Sequence, residues 1–540
     1  MHRAVRTPVL MFLLALVVRL VVAAGFPDPA YPDSAYYVDV ARQLAAGHGL
    51  NIDFVWIFPE VGGSIPANPV LPIPSNAHWM PLASIVMAPF MWVLGPTTLA
   101  ANLPFALIGA AAAPLAWGIA RDAGLRREVA IGAGVLTAIP AFALVYMVQP
   151  ENFALYGTLV ALALFLTGRG LKGHPWSFVL AGACAGAATL ARNEGLLVLG
   201  AVGLVFLGNR WRARRRPDAD RVPLAAALGA VALFAAVVAP WYARQYATFG
   251  SFSPSTATGK VLFMRDFSEW NSITTPATLD HLLGMGLGPL LMTRVTGFTL
   301  SLVLFAVLIA ALVLVPFLVI GAWRLRREAQ FAAAFVYAVL LLAFCTILVP
   351  IHVPGGQLVH AAVGLGPHTY VLALEGAAVV AAWIAGRRPG RNPDGITRLF
   401  VGALVAICVA TAVWSVRDVQ AGWATQAAQA RTTASALDAA GAGATDRVMS
   451  IDAAGVKYWS GRPGVVLLDD PVETVEQVAR AYDIRWLVLD DNPGVPLAEQ
   501  IQVDGNRPAW VGPPVFSGGG VNLYPVCVEA GDERCTEAAG

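Results

Sequence analysis

Eleven stretches of this chain are apolar enough to be read as membrane spans, and no other feature restricts the fold as much. A spanning helix takes about 20 mostly apolar residues, because it must satisfy its backbone polar groups internally across the hydrocarbon. The stretches run roughly over 8–25, 98–120, 131–149, 153–167, 176–191, 195–208, 223–241, 296–320, 331–349, 361–385 and 398–416, the fourth to sixth being short. Composition agrees. Hydrophobic residues make up 57% of the 540 and charged residues 13%, about half the ~25% usual in soluble domains. That excludes a nucleic-acid binder, a disordered chain and an ordinary soluble enzyme. The 36 basic and 34 acidic residues nearly cancel, so the net charge of +2 says nothing about partners. Five cysteines are too few for a disulfide scaffold. The prediction is an all-α polytopic membrane protein of about eleven helices.

Basic clusters give an orientation, since Lys and Arg concentrate in cytoplasmic loops. They fall at Arg3/Arg6, Arg121/Arg126/Arg127, Arg169/Lys172, Arg210–Arg216, Arg324/Arg326/Arg327 and Arg387/Arg388/Arg391. With all of them inside, the chain crosses twice between successive clusters. Trp79–Leu94 would break that parity and holds Pro81 and Pro89. It is read as a re-entrant or interfacial helix, with a short true span as the alternative. The amino terminus is then cytoplasmic and the carboxyl-terminal region extracytoplasmic. The large outer loops are 26–78 and 242–293.

After Trp414 the composition changes. Residues 418–440 read as an exposed Ala- and Gln-rich helix. Arg447–Asp452, Val465–Leu468 and Trp486–Leu489 are short apolar runs suited to buried strands. Val472–Tyr482 has helical spacing between the last two, with Asp469-Asp470-Pro471 supplying a cap and a first-turn proline. This predicts a small α/β domain. The expected division is a transmembrane catalytic domain over 1–416 and an extracytoplasmic α/β domain over 417–540. Cys527 and Cys535, eight apart outside the cytoplasm, are placed to pair, with two free thiols as the alternative.

The first outer loop carries the residues of most chemical interest. Asp33 or Ser34 can cap a helix over about 35–46 whose apolar positions Tyr36, Tyr37, Val40, Ala41 and Leu44 share a face. That predicts an amphipathic helix lying on the membrane, with the Asp33 carboxylate at the lipid–water boundary. Spacing alone leaves Asp33 as either the cap or a catalytic acid. Arg192 and Arg244 are the cations that topology places at the same boundary, Arg192 with Glu194 as a local partner. Lys260 and Arg265 lie in the second loop. Arg19, inside the first span, requires a cavity or a partner. His78, His352, His360 and His368 fall near the outer boundary, and His360 and His368 share a helix face. With the nearby acids they could hold a divalent ion, the one cofactor considered, but no HExxH-type spacing groups them.

The stretch PDSAYYVDVARQLAAGHGL resembles the first-loop signature of the GT-C superfamily of glycosyltransferases, in the branch that includes protein O-mannosyltransferases and lipid A aminoarabinose transferases. HWMPLASIVMAPFMWVLG resembles the family's Pro-rich segment before a Gly turn. Gln149-Pro150-Glu151-Asn152 matches the position of its second acidic site, and Thr189–Gly195 resembles a further recurring turn. The likeness covers about the first 250 residues by motif and the rest by architecture. It implies transfer of a sugar from a polyprenyl-phosphate carrier in the outer leaflet to a hydroxyl or amine of an acceptor glycan, lipid or protein. It also implies that Asp33 is the base and Glu151 a second acid, positioning acceptor or metal. Tyr36, Tyr37, His78, Arg192, Glu194 and Arg244 are the candidate substrate-binding residues. The competing class is a transporter or lipid flippase, and internal repeats that would favour it are not evident.

Overall fold

The apolar runs fold as helices. The computed structural model describes residues 2–215, 221–351, 357–387, 392–491, 494–528 and 533–535. His352, Arg216, Arg388 and Arg391 lie outside the described residues. Among the described residues, nine helices are long and apolar enough to cross a membrane, and Leu82–Leu94, Ser177–Ala191 and Val315–Leu325 are shorter apolar helices. Leu228, Val231, Leu291, Met292 and Val295 stay exposed, as a lipid-facing surface requires. The chain is a multi-pass membrane protein. Among the described residues, Asn152–Leu171 and Gln357–Gly386 are the most enclosed spans.

Two predicted spans take another form. Over 131–149, helix Arg127–Ala138 stops before Pro140, which has no N–H to continue the ladder, and turns lead to a 3-10 turn at Tyr146–Val148. The carbonyls freed at that helix end explain Arg19, which donates to Ala138 O at 3.0 Å and Thr137 O at 3.3 Å. The 296–320 stretch is also broken. Ala311 and Leu312 take φ of 49° and 54°, and a new helix, Val315–Leu325, begins with Pro316 in its first turn. That helix crosses Gly366–Gly386 very closely: a Cβ at Gly321 would lie 1.8 Å from Leu372 O, and one at Gly376 would lie 1.9 Å from Phe317 O. Small residues permit such backbone approach in membrane bundles.

The last span and the Gln-rich stretch are one helix, Pro393–Ala439, 47 residues without a break and about 70 Å long. The expected boundary at 416/417 falls inside it. At its start the basic loops are tied together by Arg126–Asp394 at 2.7 Å and Arg398–Glu128 at 2.9 Å. Its far end leads into a sheet. The strands are β1 (Asn51–Ile52), β2 (Phe54–Val55), β3 (Ile73–Pro74), β4 (Arg447–Ser450), β5 (Gly464–Val466), β6 (Ile484–Asp490), β7 (Phe516–Gly518) and β8 (Val521–Pro525). β1 pairs with β3, and the other six form one sheet in the order β2-β5-β4-β6-β8-β7. β2, β5, β4 and β6 run parallel, while β8 and β7 are antiparallel. The parallel strands are nearly continuous apolar runs, such as Val448-Met449 and Trp486–Leu489, because both faces are covered. β2 comes from the first loop, so that loop is part of the C-terminal sheet.

Helix Val472–Ala481 forms as expected but is capped by Pro471. The Asp470 carboxylate instead accepts bonds from Ser272 Oγ at 2.6 Å, Ile273 N at 2.6 Å and Thr274 N at 3.2 Å. It ties the second loop to the sheet. Cys527 and Cys535 are disulfide-bonded.

Candidate active site

Helix Pro32–Ala45 carries the first carboxylate. Pro32 opens it with its φ already helical, and Gly47, at φ +83°, follows its end. The N-cap is Tyr31, without a side-chain cap bond, so Asp33 sits inside the first turn and is not the cap. Nor does the helix lie open on a membrane surface. Ser34 to Ala41 are all buried, and helices Leu82–Leu94 and Ala453–Ser460 pack on it.

Glu151 comes from the N-cap position of Asn152–Leu171 and makes no bond to its own helix end. His360 comes from Gln357–Ala362. Asp33, Glu151 and His360 bring one ligand atom each to within 4.8 Å of one another. His360 Nε2 lies 3.0 Å from Glu151 Oε1, and Phe153 stacks on the imidazole at 4.0 Å. Tyr31 OH donates to Glu151 Oε2 at 3.1 Å. Tyr37 OH accepts from Asn152 Nδ2 at 2.7 Å. Arg192, in the turn between Ser177–Ala191 and Gly195–Arg215, donates through Nη2 to Glu194 Oε1 at 2.8 Å, and Gln357 donates to the same oxygen at 2.6 Å. Residues far apart in sequence thus meet where helix ends converge.

The two acids differ electrostatically. Burial, then the neighbouring Glu151 charge, pushes the Asp33 carboxyl up to about 6, against the opposing pull of His360 and Arg192. Burial would raise Glu151 too, but His360, Arg192 and the Tyr31 hydroxyl outweigh it and hold it below the usual carboxylate range. Like charges this close disfavour two ionised carboxylates, so as pH falls through about 6 Asp33 takes up a proton before Glu151 does. Burial alone would lower the Arg192 pKa, but Glu194 and Glu151 hold its guanidinium firmly charged. Asp452, from the C-terminal part, adds a further negative field at Asp33.

The candidate substrate residues divide. Tyr37, Arg192 and Glu194 join Asp33 and Glu151. Tyr36, His78 and Arg244 belong to a second cluster. There Tyr36 OH donates to Glu60 Oε1 at 3.0 Å and accepts from Asn76 N at 2.9 Å. Gln245 donates to Asn76 O at 2.9 Å, and Arg244 donates to Gln245 Oε1 at 2.6 Å. His78 packs against Trp79 and Trp270. Lys260 is tied to Thr275 O and Arg265 to Glu269 and His281. His368 is buried beside Phe331, so it does not join His360. Tyr31, Asn152, Gln357 and Asp452 were not picked out from sequence. Only Asn152, adjoining Glu151, carried any signal there.

A bundle of spanning helices with paired acids at converging helix ends beside an α/β unit is a fold shared with solved membrane proteins. Residues 76–241 match the model of the dolichyl-phosphate-mannose-protein mannosyltransferase family. No curated protein sequence matches the chain. Among solved structures, the chain is similar to ArnT from Cupriavidus metallidurans in the apo state, at TM-score 0.56 and 16% identity over 97% of this chain and 98% of that one. It is also similar to the Archaeoglobus fulgidus oligosaccharyltransferase in complex with Zn and sulfate, at TM-score 0.50 and 15% identity over 95% of this chain and 73% of that one. These likenesses establish the fold. In the present chain a divalent ion would find an imidazole nitrogen and two carboxylate oxygens at Asp33, Glu151 and His360, a donor set compatible with zinc.

Proposed function

We propose that the chain transfers a sugar from a polyprenyl-phosphate donor to a hydroxyl or amine of an acceptor at the outer face of the membrane. The observation that carries this reading is the Asp33–Glu151 pair, held at converging helix ends with Arg192 nearby, in a chain whose 76–241 segment matches a mannosyltransferase family. In the proposed step the acceptor oxygen attacks the anomeric carbon. The new C–O bond forms as the bond to phosphate breaks, and its electron pair leaves with the phosphate. Asp33 takes the acceptor proton, as a carboxylate of raised pKa is suited to do. The leaving phosphate needs cations rather than an acid, and Arg192, whose charge acts on both Asp33 and Glu151, supplies a fixed one. Glu151 is already engaged by His360 and Tyr31, so it serves to position and to raise Asp33. In this reading 1–416 holds donor and chemistry, 417–540 faces the acceptor, and the basic loops face the cytoplasm.

A transporter would place its polar groups mid-span on broken helices. Here they gather at helix ends, beneath the sheet. The test is incubation of the purified protein with a panel of labelled polyprenyl-phosphate sugars. Hydrolysis or transfer of one of them supports the reading. Intact donors, together with movement of a labelled solute or lipid across vesicles, would overturn it.

A further inference from the structure

A cavity of about 370 Å³ lies between the start of helix Pro32–Ala45, the far half of Pro393–Ala439 and the C-terminal sheet. That is within the size range of small-molecule sites. Its position follows from topology. β4, β5 and β6 are consecutive in sequence, yet β4 lies between the other two in the sheet. The chain therefore steps from β4 out to β5 on one side and crosses back past β4 to β6 on the other, and a crevice opens beyond the carboxyl ends of β4 and β6, where ligands of open parallel sheets bind. Ser450 and Asp452 line it from the end of β4, and Asp490 lines it from the end of β6.

The lining has a definite chemistry. The carboxylates are Asp452, which also accepts from Gly455 N at 2.8 Å, and Asp490; the hydroxyls are Tyr31, Thr433, Ser450 and Ser460, Gln426 and Gln429 add amides, and the ring of Trp459, over which the Arg431 guanidinium lies at 4.8 Å, adds an aromatic face. No Lys, Arg or His lines it among the described residues. Two carboxylates with no lining cation disfavour a phosphate or sulfate. They suit a molecule with many O–H donors, since charge-assisted hydrogen bonds to carboxylates are strong. Tyr31 connects this cavity to the active site: it lines the cavity and donates to Glu151 at 3.1 Å. Asp33 is two residues further along the same chain segment.

Resting on the glycosyltransferase reading, we propose that this crevice is the acceptor subsite and that it takes an uncharged polyol, the end of a neutral glycan, held by Asp452 and Asp490 with a ring face on Trp459. The hydroxyl presented past Tyr31 is then the one that receives the sugar.

The test is saturation-transfer NMR on the full-length protein in detergent, without donor. The probes are methyl glycosides of neutral hexoses and pentoses, the same glycosides as phosphate esters, and an uncharged serine-rich peptide. The proposal expects binding of neutral glycosides, reduced at least about tenfold in Ala427→Phe, which fills the cavity from the long helix, and in Asp452→Asn. Thermal unfolding checks that both variants fold, and if Ala427→Phe does not, Asp452→Asn carries the comparison. Binding of phosphate esters or peptide in place of neutral glycosides overturns the proposal, as does neutral binding that both folded variants leave unchanged. Because no donor is present, the two readings fail separately. Donor turnover without glycan binding sinks this inference alone, and glycan binding without donor turnover sinks the catalytic reading.

Discussion

At the scale of single residues, the difference between Asp33 and Glu151 governs pH behaviour. A base must be ionised to act, and Asp33 is pushed up to about 6. Transfer should therefore rise with pH through about 6 and level off above. Glu151→Gln removes the neighbouring negative charge, so the acid limb should move to lower pH while the plateau rate falls. A limb that stays put or moves up in a pH–rate profile would show that Glu151 does not act on Asp33. Stability has the opposite sign. A carboxyl raised in the folded state stabilises it when protonated, and that contribution is lost as pH rises through about 6. The pair also bears on metal dependence. Glu151 already has His360 and Tyr31 as partners, so chelation should leave turnover unchanged. Loss of activity on chelation, restored by a divalent ion, would assign Asp33, Glu151 and His360 as its ligands instead. Asp33 and Glu151 were legible in the sequence because each sits at a helix start in a recognisable motif. Tyr36 and Tyr37 were legible only as a pair: neighbours on a helix point some 100° apart, and the two serve different clusters.

Individual elements show where local signals suffice. Strand β6 and helix Val472–Ala481 follow from apolar runs and helical spacing that tertiary context does not contradict. The kinks at Pro140 and Pro316 were open to reading from the prolines, but the surrounding apolar runs hid them. Strand β2 was not legible, because two residues, Phe54 and Val55, are a strand only by virtue of β5 beside them. Asp470 read as a helix cap, although its partners Ser272, Ile273 and Thr274 are nearly 200 residues away. Its role gives a prediction. Asp470→Ala leaves backbone N–H donors of the second loop without a partner, at about 1–3 kcal/mol. Limited proteolysis should then cut more readily within 266–281, with the sheet still folded. Unchanged protection of that loop would mean that Asp470 is not its anchor.

For the whole molecule, charge asymmetry and the long helix Pro393–Ala439 set the two ends apart. The loops joined by Arg126–Asp394 and Arg398–Glu128 lie at its start, and the sheet and acids lie toward its finish. Arg126→Cys costs little, since an exposed ion pair contributes about 0–1 kcal/mol. In whole cells the cysteine should resist an impermeant thiol reagent until the membrane is opened. Labelling from outside would invert the orientation and put Glu151 on the wrong side. The central claim is that Asp33 removes the acceptor proton in sugar transfer from a lipid phosphate. Asp33→Asn tests it most directly, by comparing the rates at which purified wild type and variant consume a labelled polyprenyl-phosphate sugar. Asn keeps the shape of the side chain and needs no charge in a crowded site, so the variant should unfold at the same temperature or higher. It should still bind the donor, and it should transfer the sugar at least about a hundredfold more slowly, given that general-base catalysis is typically worth about 10²–10⁴-fold. A folded Asp33→Asn protein with near-normal turnover would contradict the account.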